Sequence, residues 1–432
     1  MTTTKSSISA RQAFLNSLGG ELNIADDEFF SQSYPAHTMT SASEIFNIWI
    51  CRMIMLGNHF TDKAPFQNVF IHAVARDEKG QKMSKSLGNV IDPELLLKKY
   101  SADTLRMVLN SLIVPGRDVY MSQKSIEELI VKWRNFGNKL WNISRFIYDR
   151  EIEDLNESED LISPASGWIW EKLNRLSIDI EENLKNYRLG QVMDLIYHFV
   201  WDDLADWYIE YLKTAPNQII FAKKHMFEPL LKLIHPFIPF ESEAIWKEIR
   251  LLDTTLQKLP ELLIQNQFHI SNLNVDMFNL SEFESIKNFI TEFRKFRGLY
   301  RIDPVTKIKV YTKNLVLKEY TDFLKMIAKI EIESQESPEN IFIQEWNSMK
   351  FSFDLVKIIP DIAVEIKRTQ DDLKKVNTDI NKLSGLLSNS GFVSKAGEET
   401  VEKTKLDLDE KISTKEQIVI KLEWLNTQHE LK

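Results

Sequence analysis

The sequence predicts a multidomain chain in which a short α/β region gives way to an all-α bundle, a small α/β segment and an antiparallel coiled-coil arm. Three observations predict it. A β-type run rich in Val, Phe and Ile, Phe66 to Ala75, precedes a compact polar loop, Lys82-Met-Ser-Lys-Ser-Leu-Gly-Asn89. From about Asp118 the pattern becomes long amphipathic helices with almost no strand signal. From Asp361 to Lys432, apolar residues step by threes and fours in two stretches around a Gly-containing break. A length of 432 residues suggests roughly three domains.

Taken in order, residues 1 to about 33 are Ser/Thr-rich and poorly patterned. Glu44 to Leu56 reads as a helix, with Ile45, Ile48, Trp49, Arg52 and Met53 on helical spacings. The Phe66 run reads as a buried parallel strand, and Arg76 to Gly80 as a turn. Asp92-Pro93-Glu94 starts a helix with Leu95, Leu96, Leu97 and Tyr100 as its apolar face. Ser125-Ile-Glu-Glu128 matches a capping box and opens a helix carrying Leu129, Ile130, Trp133, Phe136, Leu140 and Trp141.

After an Asp/Glu/Ser-rich linker, Glu151 to Ser166, a further helix spans Gly190 to Lys213. One ending near Ile234 must break at His235-Pro-Phe-Ile-Pro-Phe240, and another runs through Trp246. Most aromatic residues here are expected in the core. Residues 306 to 360 return to short strands, Lys307 to Tyr311 and Ile341 to Ile343, around one helix. The arm stripe is Ile366, Thr369, Leu373, Val376, Ile380, Leu383 and Leu387, then Val401, Leu408, Ile412, Ile418 or Val419, Leu422 and Leu425.

Composition narrows the function classes. With 43% hydrophobic residues, 25 Phe and 10 Trp, the chain can bury substantial cores. A single cysteine, Cys51, excludes an intrachain disulfide and a cysteine-rich zinc site, and its apolar neighbours suggest a core thiol. No structural zinc or other protein-held metal is expected. The best apolar run, Ile45 to Leu56, is broken by Arg52 and falls short of the ~20 residues of a membrane span. With no signal-peptide pattern, a soluble, reduced, cytoplasmic protein is expected. The net charge of −9 means that any contact with a polyanion must be regional.

The Lys82 loop suits a polyphosphate. Lys82 and Lys85 supply point charges, Ser84 and Ser86 can donate hydrogen bonds, and Gly88 permits a tight turn. A lone Lys-x-x-Lys would read first as an ordinary basic surface turn, but the surrounding residues extend the pattern. Arg52-Met-Ile-Met-Leu-Gly57, Arg76-Asp-Glu78, Gly88-Asn-Val-Ile-Asp-Pro93, Ala102-Asp103-x-Leu105-Arg106 and Gly116-Arg-Asp118 accompany it. Farther on stand Arg134-Asn-Phe136-x-Asn138-Lys-Leu-Trp-Asn142, Asp206-Trp-Tyr208, His235-Pro-Phe237 and Asn389-x-x-Phe392-Val393-x-Lys395-Ala396. Together they resemble the C-terminal half of the valyl-tRNA synthetase family of class I aminoacyl-tRNA synthetases, from about Tyr34 to the end.

That resemblance implies half of a Rossmann-like catalytic domain with a stem-contact region over 1–118 and a helical anticodon-binding domain over 119–305. A small connector over 306–360 and a coiled-coil tRNA-binding arm over 361–432 would follow. It implies valine, tRNA-Val, and ATP accompanied by Mg²⁺. By the same resemblance Lys85 and Lys82 are catalytic, and Ser84, Ser86, Glu44 and His72 serve the nucleotide. Ile45 and Trp49 would line the amino acid pocket, with Trp133, Arg134 and Asn135 candidates for anticodon contact. Ala42-Ser-Glu-Ile45 and His72-Ala73 depart from the family text, and no His-Ile-Gly-His signature or editing insertion occurs in the sequence. A second polypeptide carrying them is expected, so the isolated chain should be inactive. The rival expectations are a non-catalytic tRNA-binding protein, an isoleucyl-type fragment and an interrupted gene product. The arm, with 12 Lys and Arg against 14 Asp and Glu over 361–432, is less basic than a tRNA-gripping element should be.

Overall fold

The structure, a computed structural model, describes residues 34–114, 117–149, 162–267, 280–333, 342–346, 349–353, 359, 362–389, 391 and 397–430. The N-terminal segment 1–33, Gly116, most of the expected linker, Ile341 and Phe392 to Ala396 lie outside the described residues. Two compact units divide between Phe278 and Asn279, and the helix Leu280–Leu299 falls in the C-terminal unit.

The first unit opens with a βαβ crossover. Strand β1 (Ala36–Ala42) runs parallel to β2 (Phe66–His72), Ala36 opposite Phe66 and Ala42 opposite His72. A 3₁₀ turn (Ser43–Ile45), a π-helical turn (Phe46–Ile50) and helix α1 (Cys51–Thr61) connect them. Ile50, Met53 and Phe66 form the buried cluster, with Met39, Phe46, Ile54 and Val69 packed on it. Of the residues on helical spacings, Met53 is buried while Ile45, Ile48 and Trp49 are exposed. Cys51 is free and half-buried. At the helix end the Tyr34 hydroxyl donates to Lys63 O (2.9 Å) and accepts from Thr61 Oγ1 (2.9 Å). Gly57 lets it approach, since a Cβ there would lie 2.8 Å from that hydroxyl.

A second parallel pair, β3 (Ala75–Arg76) and β4 (Val119–Tyr120), flanks the Lys82 loop. Between them Asp92 caps a short helix, Pro93–Leu97, accepting from Glu94 N at 2.9 Å. It is too short to bury a face: Leu95 and Leu97 stay exposed, contrary to expectation. Ser101 then caps α2 (Ala102–Ser111).

The bundle begins with α3 (Gln123–Tyr148), whose capping box is Ser122 with Ser125, one turn earlier than the expected Ser125–Glu128 pair. Ile130, Trp133, Phe136 and Leu140 are buried. There follow α4 (Pro164–Lys185) and α5 (Leu189–His198), the latter continuing through π-helical Phe199–Tyr208 and Ile209–Leu212, as the helical pattern to Lys213 required. The helix Glu228–Ile234 stops at the predicted proline corner, and Pro239 opens α6 (Pro239–Leu252).

In the second unit α7 (Leu280–Leu299) lays Phe289, Phe293 and Phe296 against Phe351 and Phe353 of a four-stranded sheet. Its order is β6 (Ile330–Glu333), β5 (Ile308–Tyr311), β8 (Met349–Phe353), β7 (Phe342–Trp346). Two short helices, Leu315–Glu319 and Thr321–Ala328, accompany it where one was expected. Buried Arg297 donates to the carbonyls of Asp303 (3.0 Å), Thr306 (2.7 Å) and Ala328 (3.0 Å), satisfying a strand-free corner.

The arm is α8 (Ile362–Ser388) with α9 (Glu398–Glu430). Lys421 meets Glu365 at 2.7 Å and Lys411 meets Asp379 at 3.6 Å, so the partner on α8 advances as that on α9 retreats, and the pair is antiparallel. At ~1.5 Å per residue the helices extend about 40–50 Å. Thr369 fills its predicted stripe position, buried with its hydroxyl donating to Glu365 O at 2.7 Å. Ile412 does not: it is exposed, and Lys411 beside it faces α8.

Candidate functional site

The Lys82 loop is held by its own side chains. Asp77 Oδ1 accepts from the backbone of Lys79 (3.0 Å) and Gln81 (2.8 Å), which forms the turn before the loop; Gly80 completes it at φ +77°. Asn89, at the far end, donates Nδ2 to Asp77 Oδ2 (2.9 Å) and accepts from Ser84 N (2.9 Å). The two ends are thereby bracketed. Met83 N donates to Ala75 O (3.1 Å), and Gly88 adopts φ +67° where the chain reverses. Behind this, Arg76 Nε donates to Asp118 Oδ2 (2.5 Å), and Asp118 Oδ1 accepts from Val74 N (3.2 Å).

These contacts set the local electrostatics. The Asn89 amide, then the Gln81 backbone, hold the Asp77 carboxyl below the ordinary aspartate range. The Arg76 guanidinium does the same for Asp118. Both acids are therefore anionic struts, and the loop between them presents Ser84 and Ser86, hydroxyls 3.1 Å apart, and Lys82.

Lys82 Nζ is ion-paired with Glu44 Oε2, which joins the first loop lysine to the start of the β1–α1 crossover. Two of the sequence-predicted residues are thus brought together. Lys85 opens the 3₁₀ turn Lys85–Leu87, and its side chain lies outside the described atoms. Ile45 follows Glu44 directly, and both it and Trp49 are exposed on the crossover. His72 ends β2, its Nδ1 donating to Ala73 O (2.8 Å). With Ala73, Ala75, Leu109, Val119 and Met121 it lines a cavity of about 240 Å³.

Trp133 falls away from the predicted set. It is 1% exposed, donates Nε1 to Ser111 Oγ at 3.3 Å and packs edge-on to Phe136, so no base can stack on it. Arg134 and Asn135 are exposed on α3. The residues that sequence reasoning passed over as site builders are Asp77, Asn89, Arg76 and Asp118. The turn-forming Asp77-Glu-Lys-Gly80 was the signal for the first. Among the described residues no group of three or more His, Cys, Asp or Glu could hold a metal ion, and no helix is long and apolar enough to cross a membrane.

Three family models match in succession. Residues 16–122 match tRNA synthetases class I (I, L, M and V), 166–312 the anticodon-binding domain of tRNA ligase, and 361–426 the valyl tRNA synthetase tRNA binding arm. The valine–tRNA ligase of Pelagibacter ubique is 31% identical over 416 residues, covering 92% of this chain and 46% of the relative. That of Nitratiruptor sp. is 32% identical over 381 residues (87% and 42%), and that of Thermotoga maritima 31% over 410 (92% and 45%). The chain spans somewhat less than half the length of these relatives. With a catalytic segment, an anticodon-binding segment and a valyl-type arm in that order, the chain belongs to the class I aminoacyl-tRNA synthetase family and corresponds to the C-terminal half of its valyl members.

Proposed function

We propose that the chain serves a valine–tRNA ligase, which activates valine with ATP and transfers it to tRNA-Val in the cytoplasm. The observation that carries this reading is the bracketed, lysine- and serine-bearing loop standing beside Glu44, in a chain matching valine–tRNA ligases over most of its length. Lys85 and Lys82 would meet the ATP phosphates as charge moves onto pyrophosphate, a task of positioning and electrostatics rather than acid–base chemistry. Ser84 and Ser86 would order the loop, Glu44 the ribose and His72 the adenine side. The donor set fits a nucleotide, and Mg²⁺ would arrive on its phosphates and neutralise part of their charge. Ile45 and Trp49 would face valine.

The β1–α1–β2 crossover would be half of a Rossmann-like sheet. Its exposed Ile45, Ile48, Trp49 and Met55 support a covering surface from the remainder of the catalytic fold, carried by a second polypeptide with the first ATP signature and the editing domain. The bundle would read the anticodon through groups such as Arg134 and Asn135, and the arm would contact the tRNA body.

The test is valine-dependent ATP–pyrophosphate exchange by the chain together with a polypeptide bearing the first signature. Lys85→Ala should lower exchange by ~10²–10³-fold, the scale of losing one group that stabilises developing charge. Exchange untouched by that substitution would refute the assignment of Lys85. Selective tRNA-Val binding without any exchange would instead favour a non-catalytic tRNA-binding role.

A further inference from the structure

Three sequence motifs outside the loop, Ala102-Asp-x-Leu-Arg106, Arg134-Asn-Phe-Gly137 and His235-Pro-Phe237, converge on one joint around buried Asp103. Asp103, in the first turn of α2, is fully buried, and its Oδ2 accepts from Glu241 N at 2.6 Å. Helix α6 has no side-chain cap of its own, so Asp103 caps it from another element. The favour is returned: Glu241 Oε1 accepts from the hydroxyl of Ser101, the residue that caps α2 (2.9 Å). One turn along α2, Arg106 donates Nη2 to Pro236 O (3.0 Å) and Nε to Phe237 O (3.4 Å), on the other side of the corner. Gly137 of α3 completes the joint, since a Cβ there would stand 2.2 Å from Glu241 Oε2.

This is a costly way to make two helices stick. Asp103 Oδ1 has no hydrogen-bond partner among the described atoms, and burial pushes both the Asp103 and Glu241 carboxyls up. An apolar contact would hold equally well without burying one acid and half-burying another. What the polar joint adds is direction: Asp103 can only meet amides at a helix start, and Arg106 only carbonyls at a turn, so the corner has one seat.

The other end of α2 leads to the loop. Ser111 Oγ accepts from Trp133, Ile113 O accepts from Gly190 N (3.3 Å), and the chain then reaches Asp118 and β4. There Val119 N donates to Val74 O (3.0 Å) and Met121 N to Arg76 O (2.8 Å), the strand on which the loop is hung through Met83. From the proline corner to the base of the loop the connection thus runs along α2, through the chain itself, where Arg117 N donates to Val114 O (3.3 Å), and then through the hydrogen bonds of β4 with the strand that carries the loop.

We propose that Asp103 and Arg106 are positioning residues: they seat the bundle corner on α2 and through it set the order of the Lys82–Asn89 loop. The proposal rests on the ligase reading only for what the loop holds. Its test, amide hydrogen exchange of the full chain without nucleotide or tRNA, stands whether or not that reading does.

Arg106→Ala and Asp103→Ala should each speed exchange at Met83, Val119 and Met121 by about tenfold, with Ile130 and Leu140 in the bundle within about twofold. Asp103→Asn keeps an acceptor toward Glu241 N and should restore exchange to within about threefold of the unaltered chain. Unchanged exchange at Met83 in Arg106→Ala would overturn the proposal. So would an acceleration spread equally over 123–148, the mark of general loosening. Arg106 is exposed, so its variant decides the matter even if Asp103→Ala fails to fold.

Discussion

Two lysine–glutamate pairs in this chain have the same chemistry and opposite surroundings. Lys421 and Glu365, at the root of the arm, are 1% and 7% exposed; Lys82 and Glu44, at the loop, are 52% and 43% exposed. The first pair is enclosed: Lys421 also donates to Leu299 O (2.6 Å) and lies 4.7 Å from the Tyr300 ring. Burial lowers its pKa, and Glu365 works against that shift. Neither partner can leave without stranding a charge, so the pair fixes the register of α8 on α9 near the end of α7. The second pair is open to water, where each partner can exchange the other for solvent or a ligand at little cost. One is a fastener and the other a resting contact. Burial, rather than residue type, separates them.

The largest effect should come from breaking the enclosed pair. Lys421→Met strands Glu365 and should cost about 3–5 kcal/mol in denaturant unfolding of the C-terminal unit. Adding Glu365→Leu should recover most of it, because two apolar groups of similar volume can replace a buried pair. A single-variant cost under about 1 kcal/mol would equate the two pairs and dissolve the contrast. Next in size is Gly137→Ala, which presses a Cβ onto the half-buried Glu241 carboxylate. Overpacking of this kind should cost about 1–3 kcal/mol, read by the same unfolding experiment on the N-terminal unit.

Much of this architecture was legible in the sequence. The proline corner, α3, the helical run to Lys213 and most of the arm stripe, polar Thr369 included and Ile412 excepted, follow from local rules that the packing does not overrule. Strand β1 was not legible: Ala36-His-Thr-Met-Thr-Ser-Ala42 has one large apolar residue, and only its parallel partner β2 makes it a strand. The π turn at Phe46–Ile50 was not legible either, because a π turn has no periodic signature. At the candidate site, the lysines and serines advertise themselves by type. Their supports, Asp77 with Asn89 and Arg76 with Asp118, lie 12 and 42 residues apart, a link that spacing alone does not reveal. Trp133 failed as an anticodon group for a related reason: an indole on an amphipathic helix reads alike whether it faces core or tRNA.

The open pair yields a smaller effect. Lys82→Ala should change unfolding by less than about 1 kcal/mol, and that small change should vanish at high salt, since exposed pairs are screened. A cost that survives high salt would place Lys82 among the fasteners.

The smallest expected effect is one of pH, and its sign differs between loop and joint. Asp77 and Asp118 have folded pKa values below the ordinary 3.8, so their contribution is full above 3.8 and is lost only as pH falls through the lower, folded values. Asp103 and Glu241 are shifted the other way, by burial; the Glu241 and Phe240 amides, then Arg106 and His235, oppose the rise at Asp103, while at Glu241 Ser101 opposes it and Asp103 adds to it. Folded chains then bind protons that unfolded chains have already released, and stability grows as pH falls through the raised values toward the ordinary ones. Acidification from neutrality should therefore firm the joint before it loosens the loop. Asn at 103 cannot titrate, so the stability of the unaltered chain relative to Asp103→Asn should rise over that interval. A gap that is flat with pH would mean that Asp103 does not titrate there, and the joint would then hold an acid no more perturbed than those at the loop.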